Sequence, residues 1–172
     1  IIVCALLFLL AQLSLSNMNN YIYPNYFGNV SAMSLANLAG MVVILVLSTF
    51  IVKLSAKVGK KELSVIGSII SAAAFLILFF IHTDNVWVWI VLVLISSVGT
   101  AMFNMVIWAM ITDVIDDSEV RTGVRQDGTI YSVYSFARKL GQACSSGISG
   151  VLLSIIGYTA ATAHDPKVVD GI

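Results

Sequence analysis

Ala32-Met33-Ser34-Leu35-Ala36-Asn37-Leu38-Ala39-Gly40-Met41-Val42-Val43-Ile44-Leu45-Val46-Leu47-Ser48-Thr49-Phe50-Ile51-Val52 carries no charge, and Lys53-Leu54-Ser55-Ala56-Lys57-Val58-Gly59-Lys60-Lys61-Glu62 follows it at once. About 20 apolar residues in a helix, rising ~1.5 Å each, cover the ~30 Å of hydrocarbon in a bilayer. Core helices of soluble proteins rarely run so far without a charged face. The run reads as a membrane crossing, and the basic stretch as its cytoplasmic end.

The same pattern repeats on either side. Membrane helices are expected over 1–23, 32–53, 63–81, 86–115 and 129–157. The first begins apolar and continues as a polar helical extension to Tyr23, where Pro24 is expected to break it. The connection over 17–31 has no Lys or Arg, nor has His82-Thr83-Asp84-Asn85. Arg121 and Arg125 fall in 113–128, and the tail after 157 has only Lys167. Basic residues thus mark every second connection. Segments 53–62 and 113–128 are placed in the cytoplasm, the others outside, with five crossings between them.

Composition agrees. Of the 172 residues 59% are hydrophobic and 10% charged, against about 25% charged in soluble domains. Lys plus Arg balances Asp plus Glu, so no basic field draws nucleic acid. Cys4 and Cys144 sit in apolar runs without ligand spacing and read as packed, inert thiols. The chain opens inside an apolar run without a methionine, and reads as an internal piece of a longer protein. That run lacks a basic leader and a cleavage site, so it is not a signal peptide. No metal-ligand cluster is present. His82 and His164 stand in outer connections without a catalytic partner, and no Ser-His pair, His-Glu-x-x-His or Gly-x-Ser-x-Gly occurs, which argues against an enzyme. Ser64, Ser68 and Ala72, and again Ser146, Gly150 and Ser154, recur at a spacing that lets helix backbones approach in lipid.

The fifth segment carries the functional argument. At 100° per residue, Tyr131, Ser132, Tyr134, Ser135, Arg138, Lys139, Gln142, Ser145, Ser146 and Ser149 fall within an arc of about 160°. Val133, Phe136, Ala137, Leu140, Ala143, Cys144, Ile148 and Val151 fill the rest. Such a face belongs against protein or cavity water, not lipid. Lys139 lies roughly 16 Å beyond Gly128 along the axis, close to the midplane. A cation there costs at least ~2.5 kcal/mol unless it meets a counter-charge, a carbonyl or water. Snorkelling of Arg138 and Lys139 to the headgroups is the plainer alternative. Ser97, Thr100, Asn104, Trp108 and Thr112 share a face of the fourth segment, and Gln12, Ser16, Asn19 and Tyr23 a face of the first. These polar groups serve equally as interhelical glue or as partners for a polyol, with Trp108 a flat surface for a sugar ring or an interface anchor. Together they predict a hydrated cavity for an uncharged, hydroxyl-rich solute. The dense charges of Asp113, Asp116, Asp117, Glu119, Arg121, Arg125 and Asp127 read either as a solvated loop or as ion pairs latching this part of the protein to another.

At these residues a family resemblance appears. Trp108-Ala109-Met110-Ile111-Thr112-Asp113-Val114-Ile115-Asp116-Asp117-Ser118-Glu119, then Arg121-Thr122-Gly123-Val124-Arg125-Gln126-Asp127-Gly128, then Tyr131-Ser132-Val133-Tyr134-Ser135-Phe136-Ala137-Arg138-Lys139-Leu140-Gly141-Gln142-Ala143 resemble the glycoside-pentoside-hexuronide:cation symporter family. Lys57-Val58-Gly59-Lys60-Lys61 resembles the short basic loop between the second and third helices of each major-facilitator half. The resemblance implies an all-α membrane protein, a major-facilitator-type helical bundle of which residues 1–172 form about five transmembrane helices of the C-terminal six-helix half, seven to eleven of twelve. It implies a multi-pass protein of the cell (inner) membrane that moves a sugar or glycoside together with Na⁺ or H⁺. Another major-facilitator transporter, such as a drug or metabolite exporter, is the alternative. Lys139 matches the lysine lining the central cavity, and Tyr134 and Ser135 match positions facing the sugar. Asn104, Trp108, Gln142, Asn19 and Tyr23 join them as candidate substrate contacts. Asp113, Asp116, Glu119, Arg121 and Arg125 form the expected cytoplasmic charge network, pairing with the missing N-terminal half. That half is also implied to hold most of the coupling-cation ligands, and no other cofactor is implied. Asn104 and Arg138 depart from a well-known member, which carries a large aromatic and an apolar residue there, so the sugar is left open.

Overall fold

A computed structural model describes residues 2–81, 83–159, 162, 163, 165, 168 and 169. His82, His164 and Lys167 lie outside the described residues. The architecture is all-α, with no strand among the described residues. Five long helices follow one another: α1 (Ile2–Tyr21), α2 (Val30–Val58), α3 (Lys60–Ile81), α4 (Val86–Thr122) and α5 (Asp127–Ile155). By length and composition Val3–Tyr26, Val30–Val58, Lys60–Ile81 and Val86–Thr122 can cross a membrane. α5 has 29 residues, long enough, but its polar face keeps it outside the apolar set.

Helix ends differ from the sequence expectation, for identifiable reasons. Pro24 does not break α1 outright. The chain widens into a π turn over Ile22–Tyr26, in which the Phe27 amide donates to the Ile22 carbonyl at 3.1 Å. Proline lacks the N–H and crowds the carbonyl four residues back, and a wider turn relieves both. The connection expected over 53–62 shrinks to Gly59, at φ 103°. Lys53 and Lys57 continue α2, where cations suit the negative end of a helix, and Lys60 and Lys61 open α3. Likewise α4 runs on through Asp116–Thr122 as a charged extension. It stops at Gly123, φ 71°, whose amide donates to the Glu119 carbonyl at 2.8 Å. At its other end the Asn85 side chain accepts from the Trp87 amide at 2.9 Å.

The described residues form two compact units. The first, Ala36–Ser135, contains most of α2, all of α3 and α4, and the opening turns of α5. Ile51, Leu63, Met102 and Val106 are its apolar centre, ringed by Leu47, Ile70, Val98, Met105 and Met110. α3 and α4 run antiparallel at close range. Ser71 and Ser96 share a buried hydroxyl hydrogen bond of 3.1 Å. A Cβ on Gly67 would stand 2.7 Å from the Gly99 carbonyl oxygen, and one on Gly99 would run into the Gly67 carbonyl and lie 2.8 Å from the Ser71 amide nitrogen. The packed small residues of α3 are thus Ser64, Gly67, Ser71 and Ala74. The expected row through Ser68 and Ala72 ends in an exposed alanine.

The second unit joins Ile2–Leu35 to the chain from Phe136 on. Here α1 and α5 run parallel. Gly141 packs on Leu6 and Leu9, Ser145 hydrogen-bonds Ser14 at 3.1 Å, and Tyr158 accepts from Asn25 at 3.2 Å while meeting Tyr21 edge-on at 5.1 Å. The packed row of α5 is Ala137, Gly141, Ser145, Ser149 and Leu153; Ser146, Gly150 and Ser154 are exposed. Cys4 and Cys144 are exposed rather than packed, because both fall on outward apolar faces. Leu38, Val42, Leu45 and Phe50 of α2, and Phe79 and Phe80 of α3, are exposed as well. Water penalises so continuous an apolar surface, and lipid does not.

Candidate functional site

α5 has three faces rather than two. Ala137, Gly141, Ser145, Ser149 and Leu153 are buried. Val133, Phe136, Leu140, Ile148 and Val151 are exposed and apolar. Between them runs an open polar strip: Ser132, Lys139 and Ser146 are exposed, and Ser135 and Gln142 half-buried. The polar arc is therefore divided. Ser145 and Ser149 are buried in the second unit and Tyr134 in the first, and the Lys139 edge remains open. Arg138 lies between, half-buried.

Two candidate contacts meet in the first unit. Tyr134, 3% exposed, packs edge-on against Trp108 with ring centroids 5.4 Å apart. Tyr131, not singled out from sequence as a contact, tilts against the same indole at 5.9 Å. Its signal was its place one helical turn before Tyr134. Trp108 keeps 39% of its surface open with two phenol rings packed against it. Asn104 stands one turn from Trp108 on α4 and is half-buried.

In the second unit Tyr23 is buried, and its hydroxyl has no hydrogen-bond partner among the described residues; the same holds for Asn19 Oδ1 and Ser149 Oγ. Buried polar atoms left without partners cost ~1–3 kcal/mol each. Ser14, Asn17 and Ser145, by contrast, satisfy one another.

The charged residues also resolve into particular pairs. Arg125 donates through Nε to Asp127 at 2.8 Å, and through Nη1 to Glu119 at 2.7 Å and Asp116 at 3.1 Å. The bond to Asp127, then that to Glu119, then Asp116, raise the guanidinium pKa above its ordinary value. Asp113 is held by Lys60, whose Nζ donates to both carboxylate oxygens at 2.6 and 2.7 Å. Arg121 pairs with Asp117 at 2.9 Å, one turn away. Lys60 thus joins the charges that the sequence groups over 113–128, and Asp117 and Asp127 of that run take part as well. Lys60 came from another connection, which sequence spacing does not reveal; Asp127 stood two residues from Arg125.

The charges within the long helical segments are one-sided in sequence. No Asp or Glu precedes Glu62, and none stands in 63–83, 85–112 or 128–164. Across these last three stretches Arg138 and Lys139 are the only Lys or Arg residues.

Four helices long and apolar enough to cross a membrane, followed by one whose open polar strip carries Lys139, define a multi-pass membrane protein. Comparison with known proteins makes this specific. The profile described as MFS/sugar transport protein matches residues 1–172, and the chain belongs to that family. It is 39% identical over 123 residues to the uncharacterized symporter YjmB of Bacillus subtilis, covering 72% of this chain and 27% of that protein. It is 35% identical to the glucuronide carrier protein homolog of Escherichia coli, over 68% of this chain and 26% of that one. A putative sulfoquinovose importer of Salmonella typhimurium is 32% identical over 66% and 24%. The chain spans about a quarter of the length of the curated relatives it matches. No solved structure matches it. Membership in a transporter family places the chain among carriers rather than enzymes, as a multi-pass component of the inner membrane.

Proposed function

We propose that the whole protein carries a sugar or glycoside across the membrane by alternating access, driven by a coupled Na⁺ or H⁺, and that this chain supplies helices seven to eleven of a twelve-helix major-facilitator bundle. Segments around Gly59 and 113–128 face the cytoplasm in this reading, and 82–85 faces outside. The observation that carries it is the open strip of α5, where Lys139 and Gln142 lie on a polar face set apart from Phe136 and Leu140. A helix surrounded by lipid has no use for such a strip.

The strip, with Ser135, forms one wall of the solute path. Trp108 offers a stacking face, with Tyr134 holding it. Asn104, Asn19 and Tyr23 supply further hydrogen-bonding groups. The names of the relatives, a glucuronide carrier homolog and a sulfoquinovose importer, support a sugar-like cargo. The carboxylate-free membrane depth of this chain supports placing the cation's ligands mainly in the remainder of the protein. The pairs among Asp113, Asp116, Glu119, Arg121, Arg125 and Lys60 would then set the shape of the cytoplasmic end, on which the other half closes.

Replacing Lys139 by Ala in the full-length protein tests the reading. Coupled sugar uptake into proteoliposomes is expected to fall to background while membrane expression stays at the wild-type level. Wild-type uptake in that variant removes Lys139 from the path. An imposed Na⁺ or pH gradient identifies the coupling ion by which one accelerates uptake. An exporter is the second reading, favoured by the name of one relative, a putative 2,3-dihydroxypropane-1-sulfonate exporter of Salmonella typhimurium. Preloaded vesicles that empty only with the gradient reversed would establish it.

A further inference from the structure

The charges of the first unit sort into two edges. Along α4 and the start of α5, the carboxylates of Asp113, Asp116, Asp117, Glu119 and Asp127 take up Lys60, Arg121 and Arg125, so acid is in excess there. At the elbow between α2 and α3 the balance is reversed. Lys53, Lys57 and Lys61 are exposed and have no carboxylate partner among the described residues. The one acid of the elbow, Glu62, folds its carboxylate back over Gly59, at the start of α3 where the helix dipole favours it. Each of the three lysines also ends an apolar row. Counting about 100° per residue from Leu38, Val42, Val46 and Phe50 fall at about 40°, 80° and 120°, and Lys53 and Lys57 at about 60° and 100°. Counting from Lys61 along α3, Val65, Ile69 and Leu76 fall at about 40°, 80° and 60°. All of these apolar side chains are exposed. A lysine stem lies readily along such a row with its ammonium beyond the end. Water alone would solvate the lysines, but it does not suit the rows beneath them. A phospholipid suits both, with its chains on the rows and its phosphate at the ammonium groups.

We infer that the α2–α3 elbow binds the headgroup of an anionic phospholipid, with Lys53, Lys57 and Lys61 as its contacts and the exposed rows of α2 and α3 as the bed for its acyl chains. This goes beyond the transport reading and holds whatever the cargo. The chemistry recognised is a phosphate oxyanion, which ammonium groups bind as point charges. The rows beneath commit the site to a lipid rather than to free phosphate. The acidic edge along α4 repels the same headgroups, so the unit is held to the membrane surface at the elbow and stays clear of it at Asp113–Asp127.

The test uses the purified full-length protein in nanodiscs of phosphatidylcholine, alone or mixed with phosphatidylglycerol. Native mass spectrometry of the released protein counts the lipids it retains, and the unfolding midpoint reports stabilisation. Phosphatidylglycerol is expected to be retained in preference to phosphatidylcholine and to raise the midpoint. Each of Lys53→Gln, Lys57→Gln and Lys61→Gln is expected to weaken that retention about fivefold, the worth of one lysine beside an anionic surface. The triple Gln variant should lose the preference, and the triple Arg variant should keep it, since the charge stays. Added salt should weaken retention in the wild type. Equal retention of the two lipids by the wild type overturns the inference, and so does an unchanged preference in the triple Gln variant. Inorganic phosphate that raises the midpoint in phosphatidylcholine nanodiscs as far as phosphatidylglycerol does would make the elbow a free-phosphate site and overturn the lipid assignment. If the triple Gln variant does not fold, the three single variants decide: an undiminished preference in all of them overturns the inference. None of these outcomes bears on the sugar-transport reading, which the Lys139→Ala variant tests separately.

Discussion

Lys60 and Asp113 illustrate what a single contact can be asked to do. Both oxygens of Asp113 accept from one ammonium, yet the side chains remain 39% and 55% exposed. Exposed pairs contribute ~0–1 kcal/mol, so this one serves as a clasp between the start of α3 and the charged end of α4 more than as a source of stability. Lys60→Asp is expected to leave the unfolding midpoint of the full-length protein within a few degrees of wild type and to slow uptake. Adding Asp113→Lys should return the rate, because the swapped pair regains the geometry. Arg125 differs in kind. Three carboxylates raise its pKa from a value already above the working range, so it stays charged at any physiological pH and brings no pH dependence of its own. Arg125→Gln leaves Asp116, Glu119 and Asp127 to repel one another. Its uptake loss should shrink as salt is raised from ~0.05 to about 0.5 M, with the Debye length falling below roughly 5 Å.

At the scale of the helix, glycines separate sharply by what surrounds them. Gly99→Ala drives a methyl into the Gly67 carbonyl and the Ser71 backbone. Neither can yield as a side chain tip does, and a loss of about 1–3 kcal/mol is expected, read as a lowered unfolding midpoint in detergent. A methyl added at Gly147 would meet nothing within 4 Å, so Gly147→Ala should leave the midpoint unchanged or raise it, by up to ~1 kcal/mol in the helix interior. The existence and order of the five helices were legible, four from long apolar runs and α5 from its polar arc at helical spacing. Their ends were not. Lysines and aspartates mark the edge of lipid, but they are also good or tolerable helix residues, so α2 and α4 wind past the boundary that the charges announce. Pro24 was legible as a disturbance and not as a π turn, since the sequence does not say how a helix will accommodate a missing donor. On α5 the polar arc was legible, and its division was not. Serine serves both in a packed seam, as Ser145 does, and on an open strip, as Ser135 does, and only the position of α1 tells them apart.

For the whole molecule, the proposed orientation makes a direct prediction. In a background with Cys4 and Cys144 replaced by Ala, a cysteine at Asp84 should react with an impermeant maleimide added to intact cells. Cysteines at Lys57 and Gln126 should react only after permeabilisation. The opposite pattern would invert the assignment of 53–62 and 113–128 to the cytoplasm. The chain spans about a quarter of its relatives' length, and expressed by itself it is expected to reach the membrane without conferring uptake. The Gly67–Gly99 crossing then acquires a further meaning. With two backbones in touch and the Ser71 and Ser96 hydroxyls joined across them, α3 and α4 have no room to slide lengthwise or roll on one another. Under the proposed exchange of one opening for the other, this pair is expected to tilt as a single plank, with the bending at the joints at its ends.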